Sequence, residues 1–478
     1  MKEVTVDIAI LGAGTAGMGA YNSALKYTDS IVVIEPGPYG TTCARVGCMP
    51  SKLLIAAAEA SHHIDQAAEF GIDVTNKRID GERVMARVRS ERDRFVGFIK
   101  DTAEAWPGAH KIRGDAVFVG PNELQVDDHT RVLAKRIIIA TGSRPVIPAP
   151  WYELGDRLLI NDDVFDWQTL PKSVAVVGTG VIGMEIGQAL SRLGVTTTLI
   201  GRGDKFGPIS DPVINDEAKE FLSTQLMLHS DASIDGVART EHGVAIDFSE
   251  DGEAHRIEVD YLIAATGRKA VIDSLNLEAA GINLDERGFP SFDDNTCQIE
   301  DKPIFIAGDV SNAHPLLHEA ADDGHIAGDN AGRYPDVRSR PRRTPIAVIF
   351  TDPQIMLIGK SFASLSKDGV DFAVGEVSFV NQGRSRVMLR NQGKLHVYGE
   401  RHTGLFLGAE MVGPAAEHIA HLLSWAVQHR FTVQQMIDSP FYHPVIEEGV
   451  RTALKDLNSK LKMGPVPVEN CLDCGAGA

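Results

Sequence analysis

Short apolar runs recur along the first two thirds of the chain, and longer mixed stretches separate them. Val6 to Leu11 forms the first run, and Ile31 to Ile34 forms the second. Their length and hydrophobicity predict β-strands, and the stretch between them has the length of a helix. Similar runs follow at 137–139, 173–177, 196–200, 261–264 and 304–306. We therefore expect an α/β fold with strand–helix–strand units.

Two glycine-rich turns follow predicted strands directly. The first strand leads into Gly12-Ala13-Gly14-Thr15-Ala16-Gly17, and the strand at 173–177 leads into Gly178-Thr179-Gly180-Val181-Ile182-Gly183. Glycines at this spacing allow a tight turn and let the backbone approach a pyrophosphate at a helix N-terminus. Glu35 lies about 20 residues past the first turn, where a carboxylate can bind ribose hydroxyls. The two units predict two nucleotide-binding domains, although one such turn could also occur in an unrelated α/β fold.

Three later strands end in turns that suit close contact with a ligand. Thr141-Gly142 and Thr266-Gly267 each close a strand where the backbone must pass near a ligand. Gly308-Asp309 closes a third strand. Its aspartate can accept hydrogen bonds from a polyol chain, such as the ribityl chain of a flavin.

The pattern changes after about residue 342. The segment 393–399 predicts an antiparallel strand, and 415–428 predicts an amphipathic helix. We therefore expect a third, α+β domain over 345–465. The stretch 463–467 predicts an extended linker to a short tail.

Composition narrows the partners of this 478-residue chain. Its net charge of −18 argues against nucleic acid or an anionic membrane surface as a partner. No apolar run is long enough to span a bilayer, and the N-terminus has no signal-peptide core, so we expect a cytoplasmic location. Five cysteines are too few for a disulfide scaffold, so those that matter are expected to be redox-active or metal-binding.

Cys43 and Cys48 carry the most specific chemistry in the sequence. They lie in Gly40-Thr41-Thr42-Cys43-Ala44-Arg45-Val46-Gly47-Cys48-Met49-Pro50-Ser51-Lys52, just past the first predicted ribose-binding strand. Cysteines at this spacing can close a disulfide at a helix start, whose positive end would also stabilise a thiolate. Two buried thiols or a zinc site are the alternatives, although no second pair of suitable spacing lies nearby.

With these motifs the sequence resembles the pyridine nucleotide–disulfide oxidoreductases, from Val6 to about Leu461. The resemblance implies an α/β architecture of two nested Rossmann-like nucleotide-binding domains plus a C-terminal α+β dimerisation domain. It implies an FAD-binding domain at 1–150 and 271–344, and an NAD(P)-binding domain at 151–270. The dimerisation domain is then expected at 345–465 and a flexible tail at 466–478.

The resemblance also implies roles for individual residues. Cys43 would be the interchange thiol that attacks the substrate, Cys48 the thiolate that lies against the flavin, and Lys52 a flavin neighbour paired with Glu185. Arg45 stands where asparagine is commoner in the family, which leaves the disulfide intact but could alter the substrate mouth. The other residues expected to contact FAD are Gly12, Gly14, Gly17, Glu35, Thr42, Thr141, Gly142, Gly308, Asp309 and His318. Those expected to contact NAD(P) are Gly178, Gly180, Gly183, Arg202 and Gly267, and no metal is expected.

His443 is the candidate base for dithiol chemistry, and Glu448 follows it five positions later. A neutral imidazole can take a thiol proton, and the carboxylate orients the ring and stabilises its cationic form. In the resembling family this histidine enters the active site of the other subunit, which implies a homodimer. Mercuric reductases typically lack it, which argues against that subgroup.

The nicotinamide nucleotide is ambiguous from sequence. The strand at 196–200 ends on Gly201-Arg202, and NAD-preferring members usually carry an acid at position 201. Without that acid, and with Arg202 available to a 2′-phosphate, NADP is favoured. The intact Gly183 is more usual in NAD-using relatives, so both nucleotides stay open.

The leading hypothesis is FAD-dependent oxidation of dihydrolipoamide, a small dithiol or a group on a lipoyl domain, with NAD or NADP. One alternative is an NADPH-dependent disulfide reductase that relays electrons through Cys471 and Cys474, as the paired C-terminal cysteines of some relatives do. That pair could equally have no role or form half of an adventitious metal site. Mercuric-ion reduction and a non-catalytic flavoprotein subunit are the remaining alternatives.

Overall fold

The structure is a computed structural model that describes residues 1–463 of the chain. The tail cysteines Cys471 and Cys474 lie outside the described residues.

In chain order the strands are β1 (Lys2–Leu11), β2 (Ile31–Glu35), β3 (Lys111–Arg113), β4 (Ala116–Gly120), β5 (Glu123–Val126), β6 (Thr130–Ile139), β7 (Ser143–Pro145), β8 (Leu158–Leu159), β9 (Ser173–Val177), β10 (Thr196–Ile200), β11 (Met227–His229), β12 (Ser233–Arg239), β13 (Val244–Glu250), β14 (Glu253–Val259), β15 (Tyr261–Ala264), β16 (Arg268–Ala270), β17 (Ile304–Ile306), β18 (Ile346–Ile349), β19 (Gln354–Gly359), β20 (Phe372–Ser378), β21 (Lys394–Glu400) and β22 (Phe406–Gly413). The α-helices are α1 (Thr15–Ala24), α2 (Thr42–Val46), α3 (Cys48–Gln66), α4 (Gly81–Glu104), α5 (Asn161–Val164), α6 (Val181–Arg192), α7 (Pro212–Ser223), α8 (Leu317–Arg333), α9 (Phe362–Lys367), α10 (Gly383–Val387), α11 (Ala416–Gln428), α12 (Val433–Ile437) and α13 (Glu448–Leu461).

The first sheet has a parallel half that ends at the first glycine-rich turn. Its strand order is β3-β2-β1-β6-β5-β4, and β17 also pairs with β6. β1, β2, β3, β6 and β17 run parallel, whereas β4 and β5 are antiparallel additions. The end of β1, Ile8 to Leu11, pairs with strands on both sides and is fully buried, which explains its unbroken hydrophobicity. Gly12 therefore leaves the sheet at its carboxyl edge, where α1 begins.

Helices α1 and α8 pack against each other without side chains between their backbones. A Cβ atom at Gly324 would lie 2.2 Å from the carbonyl oxygen of Ala16, and one at Gly328 would lie 2.3 Å from that of Ala20. Glycine on α8 thus permits a backbone contact between the two helices. This contact joins the later segment, with β17 and α8, to the first.

A second parallel sheet repeats the arrangement of the first. Its order is β11-β10-β9-β15-β8, and every neighbouring pair is parallel. An antiparallel meander, β12-β13-β14, packs beside it around a core that includes Trp151 and Phe248. β7 and β16 form an antiparallel ribbon where the chain enters and leaves this region.

The third sheet is wholly antiparallel, in the order β18-β19-β22-β21-β20. Residues of α11 and α13 share one apolar core with this sheet, including Leu423 and Leu454. The sheet and its helices make up the α+β region expected after residue 345.

The predicted α/β class is confirmed by these sheets. The apolar runs at 173–177 and 196–200 coincide with β9 and β10, and the helix predicted at 415–428 is α11. Within residues 1–463, no helix is both long enough and apolar enough to cross a membrane.

Candidate active site

The three glycines of the first turn have different surroundings. Gly12 has a φ of +104°, and a Cβ there would lie 2.3 Å from the carbonyl oxygen of Ala140 at the end of β6. A Cβ at Gly17 would lie 1.9 Å from the carbonyl oxygen of Gly12, so any side chain would push α1 away from the turn. Nothing lies within 4 Å of a Cβ at Gly14, which leaves this side of the turn open to a ligand at the N-terminus of α1.

The second turn repeats this geometry closely. Gly178 has a φ of +123°, and its Cβ would lie 2.2 Å from the carbonyl oxygen of Ala265. A Cβ at Gly183 would lie 1.8 Å from the carbonyl oxygen of Gly178, and Gly180 is open. Both turns therefore have the form that brings a pyrophosphate against main-chain N–H groups.

Glu35 lies beside the first turn, at the end of β2. Its Oε2 accepts a hydrogen bond from the Ala13 N–H at 2.7 Å, and its Oε1 accepts one from the Gly37 N–H at 2.8 Å. These bonds fix a carboxylate at the edge of the open turn, and each oxygen has a lone pair left for a ribose hydroxyl.

Three strand-end turns meet in one hydrogen-bonded chain. The Arg268 guanidinium donates to the Ser143 hydroxyl at 2.9 Å and to the Ser143 carbonyl at 2.8 Å. The Ser143 hydroxyl donates to Asp309 Oδ2 at 2.8 Å. Asp309, expected to hold a flavin side chain, is thus oriented by Ser143, which sequence reasoning did not include among the site residues.

Thr141 and Gly142 anchor the same region to the ribbon formed by β7 and β16. Thr141 Oγ1 donates to the Val271 carbonyl at 2.5 Å, and the Val271 N–H donates to the Gly142 carbonyl at 2.9 Å. Gly142 has a φ of +72° and Gly308 one of +79°, conformations that favour glycine. The Gly308 N–H donates to the buried Asp323 at 2.9 Å, which fixes the start of the turn carrying Asp309.

The two cysteines lie on consecutive helices. Cys43 is in the short helix α2, Cys48 begins α3, and Gly47 separates them with a non-helical backbone. Both are free thiols in the structure. The hydrogen bond that Cys43 makes to Cys48 raises the pKa of the Cys43 thiol. The same hydrogen bond, opposed by burial and aided by the Lys52 charge, lowers the pKa of Cys48 to about 7.

Lys52, one turn into α3, forms an ion pair with Glu185 on α6. Its Nζ donates to both carboxylate oxygens of Glu185, at 2.8 and 2.7 Å. Glu185 is 4% exposed and also accepts the Phe350 N–H at 3.0 Å. The Phe350 ring lies 4.5 Å from Lys52 Nζ, so the ammonium group is held on two sides. This pairing was predicted from the resemblance, whereas the part of Phe350 was not.

His443 and Glu448 form a dyad at the start of α13. His443 Nδ1 lies 2.9 Å from Glu448 Oε1, and Glu448 Oε2 accepts the Val445 N–H at 3.2 Å. The imidazole is 66% exposed, and Glu448 is mostly buried. Among the described residues, the hydrogen-bond partner of His443 is Glu448 and not a cysteine. With this exposure, and with Nδ1 engaged by Glu448, the imidazole can exchange a proton with a group from outside the chain.

The remaining predicted residues lie at the edges of these clusters. Thr42 opens α2 and is exposed, while Thr41 caps that helix by accepting the Ala44 N–H at 3.2 Å. The side chain of His318 is exposed and lies next to that of Glu319. Arg202, just after β10, is also exposed. Gly267 has a φ of +110°. The aliphatic part of the Arg45 side chain packs against Gly40.

Comparison with known families identifies this arrangement. The family model described as pyridine nucleotide-disulphide oxidoreductase matches residues 6–324. A second model, of the dimerisation domain of the same family, matches residues 346–454. The chain belongs to this family. The expectation drawn from its motifs is confirmed.

Known members of the pyridine nucleotide-disulphide oxidoreductases align with nearly the whole chain. The dihydrolipoyl dehydrogenase of Bacillus subtilis is 27% identical over 453 residues, which cover 93% of this chain and 95% of the relative. That of Haloferax volcanii is 29% identical over 460 residues, covering 94% and 96%. LpdA from Mycobacterium tuberculosis has a similar structure, with a TM-score of 0.80 at 24% identity over 95% of this chain and 99% of the other. The flavoprotein disulfide reductase RclA from Escherichia coli gives a TM-score of 0.77 at 22% identity, with the same coverage, and supports the fold alone.

FAD and a nicotinamide nucleotide are the cofactors that membership implies, as predicted. The structure suits both. Each glycine-rich turn has one open glycine above a helix N-terminus, and the first turn has Glu35 fixed beside it. Gly12, Gly14, Gly17, Glu35 and Asp309 are the residues that could hold FAD.

Proposed function

We propose that the protein oxidises dihydrolipoamide to lipoamide and reduces NAD(P)+ to NAD(P)H. The observation that carries this proposal is that a cysteine pair next to the ion pair of Lys52 with the buried Glu185 coexists with an oriented histidine–glutamate dyad. The curated relatives named dihydrolipoyl dehydrogenase support the choice of substrate. The domain boundaries and site residues expected from the sequence belong to this proposal.

The proposed dithiol chemistry begins at His443. Its Nε2 takes the proton of one substrate thiol, because Nδ1 is engaged by Glu448, which stabilises the resulting cation. The substrate thiolate attacks the sulfur of Cys43 in the oxidised pair, the Cys43–Cys48 bond breaks, and Cys48 leaves as a thiolate. The charge of Lys52, which lowers the pKa of Cys48, favours its departure as a thiolate. The second substrate thiol then displaces Cys43, which releases lipoamide and leaves both protein cysteines reduced.

When bound, FAD supplies two-electron transfer between the reduced cysteine pair and the nicotinamide. The residues of this chain position the reacting groups. Lys52, held by Glu185 and Phe350, keeps a positive charge next to Cys48, and Ser143 and Arg268 hold Asp309 in place. We further propose a homodimer in which the exposed His443 of one subunit serves the cysteine pair of the other.

The nicotinamide nucleotide is proposed to be NADP. Position 201 carries no carboxylate, and the Arg202 side chain is exposed, with no acidic partner among residues 1–463. An exposed guanidinium at the end of this strand suits a 2′-phosphate.

The test is dihydrolipoamide oxidation by the purified, FAD-loaded full chain, with NAD+ and NADP+ compared side by side. His443→Gln should retain FAD but lose most dithiol turnover, because the neutral amide is no base. His402→Gln is the matched control, since His402 is also exposed and lies 3.4 Å from Asp371. Near-normal turnover of His443→Gln would remove this residue from the mechanism, and no turnover by the wild type would exclude dihydrolipoamide.

A further inference from the structure

Thr179 lies in the middle of the second glycine-rich turn and is 6% exposed. Its Oγ1 donates to the Lys205 carbonyl at 2.6 Å, and its own carbonyl accepts the Gly207 N–H at 2.9 Å. The side chain and the main chain of one residue therefore tie the turn to the loop that follows β10. This loop carries Arg202.

Position 201, at the start of that loop, requires glycine because there is little room for a side chain, and not because of its backbone conformation. Its φ is not positive, yet a Cβ there would lie 2.5 Å from Thr179 Cγ2 and 2.8 Å from Thr179 Oγ1. The backbone of Gly201 cannot easily move aside, because its N–H donates to the His229 carbonyl at 2.6 Å and its carbonyl accepts the Ala232 N–H at 2.9 Å. A side chain at position 201 would thus require Thr179 to turn away and lose its bond to Lys205.

The first nucleotide fold provides an internal comparison. The Gly12 N–H donates to the Ile34 carbonyl at 2.8 Å, and the Gly178 N–H donates to the Ile200 carbonyl at 2.7 Å, so each turn has the same register against the strand that follows it. Ala13 then corresponds to Thr179, and Glu35 to position 201. In the first fold the small Ala13 leaves room for Glu35, whose carboxylate it binds through its N–H. In the second fold the larger threonine occupies that space and the carboxylate is absent.

We propose that Thr179 determines which residues position 201 can accept. Its side chain fills the space that an acidic ribose acceptor at that position would need, which leaves the site to a nucleotide with a 2′-phosphate. The inference rests on the proposed use of NADP. Arg202 and Lys205, both exposed, supply positive charge on this loop. The nearby acid Asp204 is turned towards Lys219, at 2.9 Å, and Asp231 is held by the Gly203 N–H at 2.8 Å.

The test uses binding, so it does not depend on the disulfide substrate. Dissociation constants of NADP+ and NAD+ are measured by titration calorimetry on the FAD-loaded full chain, for the wild type, Gly201→Glu, Thr179→Ala and the double variant. The wild type should prefer NADP+, and Thr179→Ala should change this preference little. Gly201→Glu should weaken both nucleotides, because its side chain meets Thr179. The double variant should bind NAD+ about tenfold or more tighter than Gly201→Glu does, the effect of a regained charge-assisted hydrogen bond.

Several outcomes would overturn the proposal. It fails if Gly201→Glu alone switches to NAD+ as well as the double variant does, or if the wild type prefers NAD+. Should Gly201→Glu not fold, Gly201→Ala adds the Cβ alone. It should then bind both nucleotides more weakly in the wild-type background than with Thr179→Ala, where the Ser230 carbonyl at 3.1 Å is the close contact that remains. Equal binding in the two backgrounds would also refute the idea. Failure of dihydrolipoamide turnover would contradict the proposed function without affecting these dissociation constants.

Discussion

In the ion pair between Lys52 and Glu185, the carboxylate is almost fully buried, whereas the lysine side chain is 32% exposed. Removal of the lysine and removal of the carboxylate should therefore destabilise the protein by different amounts. Replacement of Lys52 by Met keeps an unbranched side chain as far as Cε but removes the ammonium group, and with it the contact between Nζ and the Phe350 ring. Glu185 then keeps the Phe350 N–H and loses two hydrogen bonds. Because Glu185 is 4% exposed, water is not expected to replace them. A buried carboxylate is left with one donor.

The expected cost follows from this burial. Removal of one partner from a buried ion pair destabilises a protein by about 3–5 kcal/mol, and the retained Phe350 N–H places Lys52→Met near about 3 kcal/mol. Glu185→Gln should cost only about 1 kcal/mol, because Lys52 is 32% exposed and keeps contact with water. The double variant has no buried charge and should be more stable than Lys52→Met alone.

The assay is urea unfolding of the FAD-loaded full chain, followed by far-ultraviolet circular dichroism. Lys77→Met is the matched control, since Lys77 pairs at 2.6 Å with the exposed Asp65 and should contribute less than about 1 kcal/mol. The reasoning is refuted if Lys52→Met unfolds at the same urea concentration as the control Lys77→Met. It is equally refuted if Glu185→Gln is as unstable as Lys52→Met, or if the double variant loses the sum of both single effects.

Two further predictions concern the flavin site and the thiols. Ser143→Ala removes the donor that orients Asp309, so FAD should dissociate about tenfold more readily, as measured by flavin fluorescence after dilution; unchanged retention would show that this bond does not matter. The second prediction uses a background without the tail cysteines, in which the alkylation rate of Cys48 is measured against pH. The midpoint of this rate should lie at a lower pH in Cys43→Ser than in Cys43→Ala, because only serine can still donate a hydrogen bond to the Cys48 thiolate. The two variants should react equally fast at pH values well above both midpoints, and identical midpoints would contradict the role assigned to Cys43 in lowering the pKa of Cys48.

Much of the fold was predictable because its central strands are buried on both faces. Such strands are continuous apolar runs, and β9 and β10 begin and end where the sequence pattern predicted. The glycine-rich turns were equally clear, since their spacing reflects contacts within a few residues, such as that between Gly17 and Gly12. Local physical requirements of this kind leave local sequence patterns.

The contacts that complete the site were not predictable in this way. Ser143 bonds to Arg268 across 125 positions of sequence and to Asp309 across 166. Phe350 reaches Glu185 across 165 positions, and it does so through its main-chain N–H, which any residue other than proline provides. No periodicity or spacing encodes such contacts, because the tertiary fold creates them by bringing together segments that are distant in sequence.

The two nucleotide folds show where sequence patterns stop and packing begins. Both have the same glycine spacing, and both place their strand ends in the same register, so the pattern alone assigns each fold to dinucleotides without distinction. The difference lies in one pair of positions, occupied by Ala13 and Glu35 in the first fold and by Thr179 and Gly201 in the second. Read separately, an arginine after Gly201 and an intact third glycine pointed to different nicotinamides. Considered as a packed pair, Thr179 accounts for the absence of an acid at position 201, because a Cβ there would lie 2.5 Å from Thr179 Cγ2.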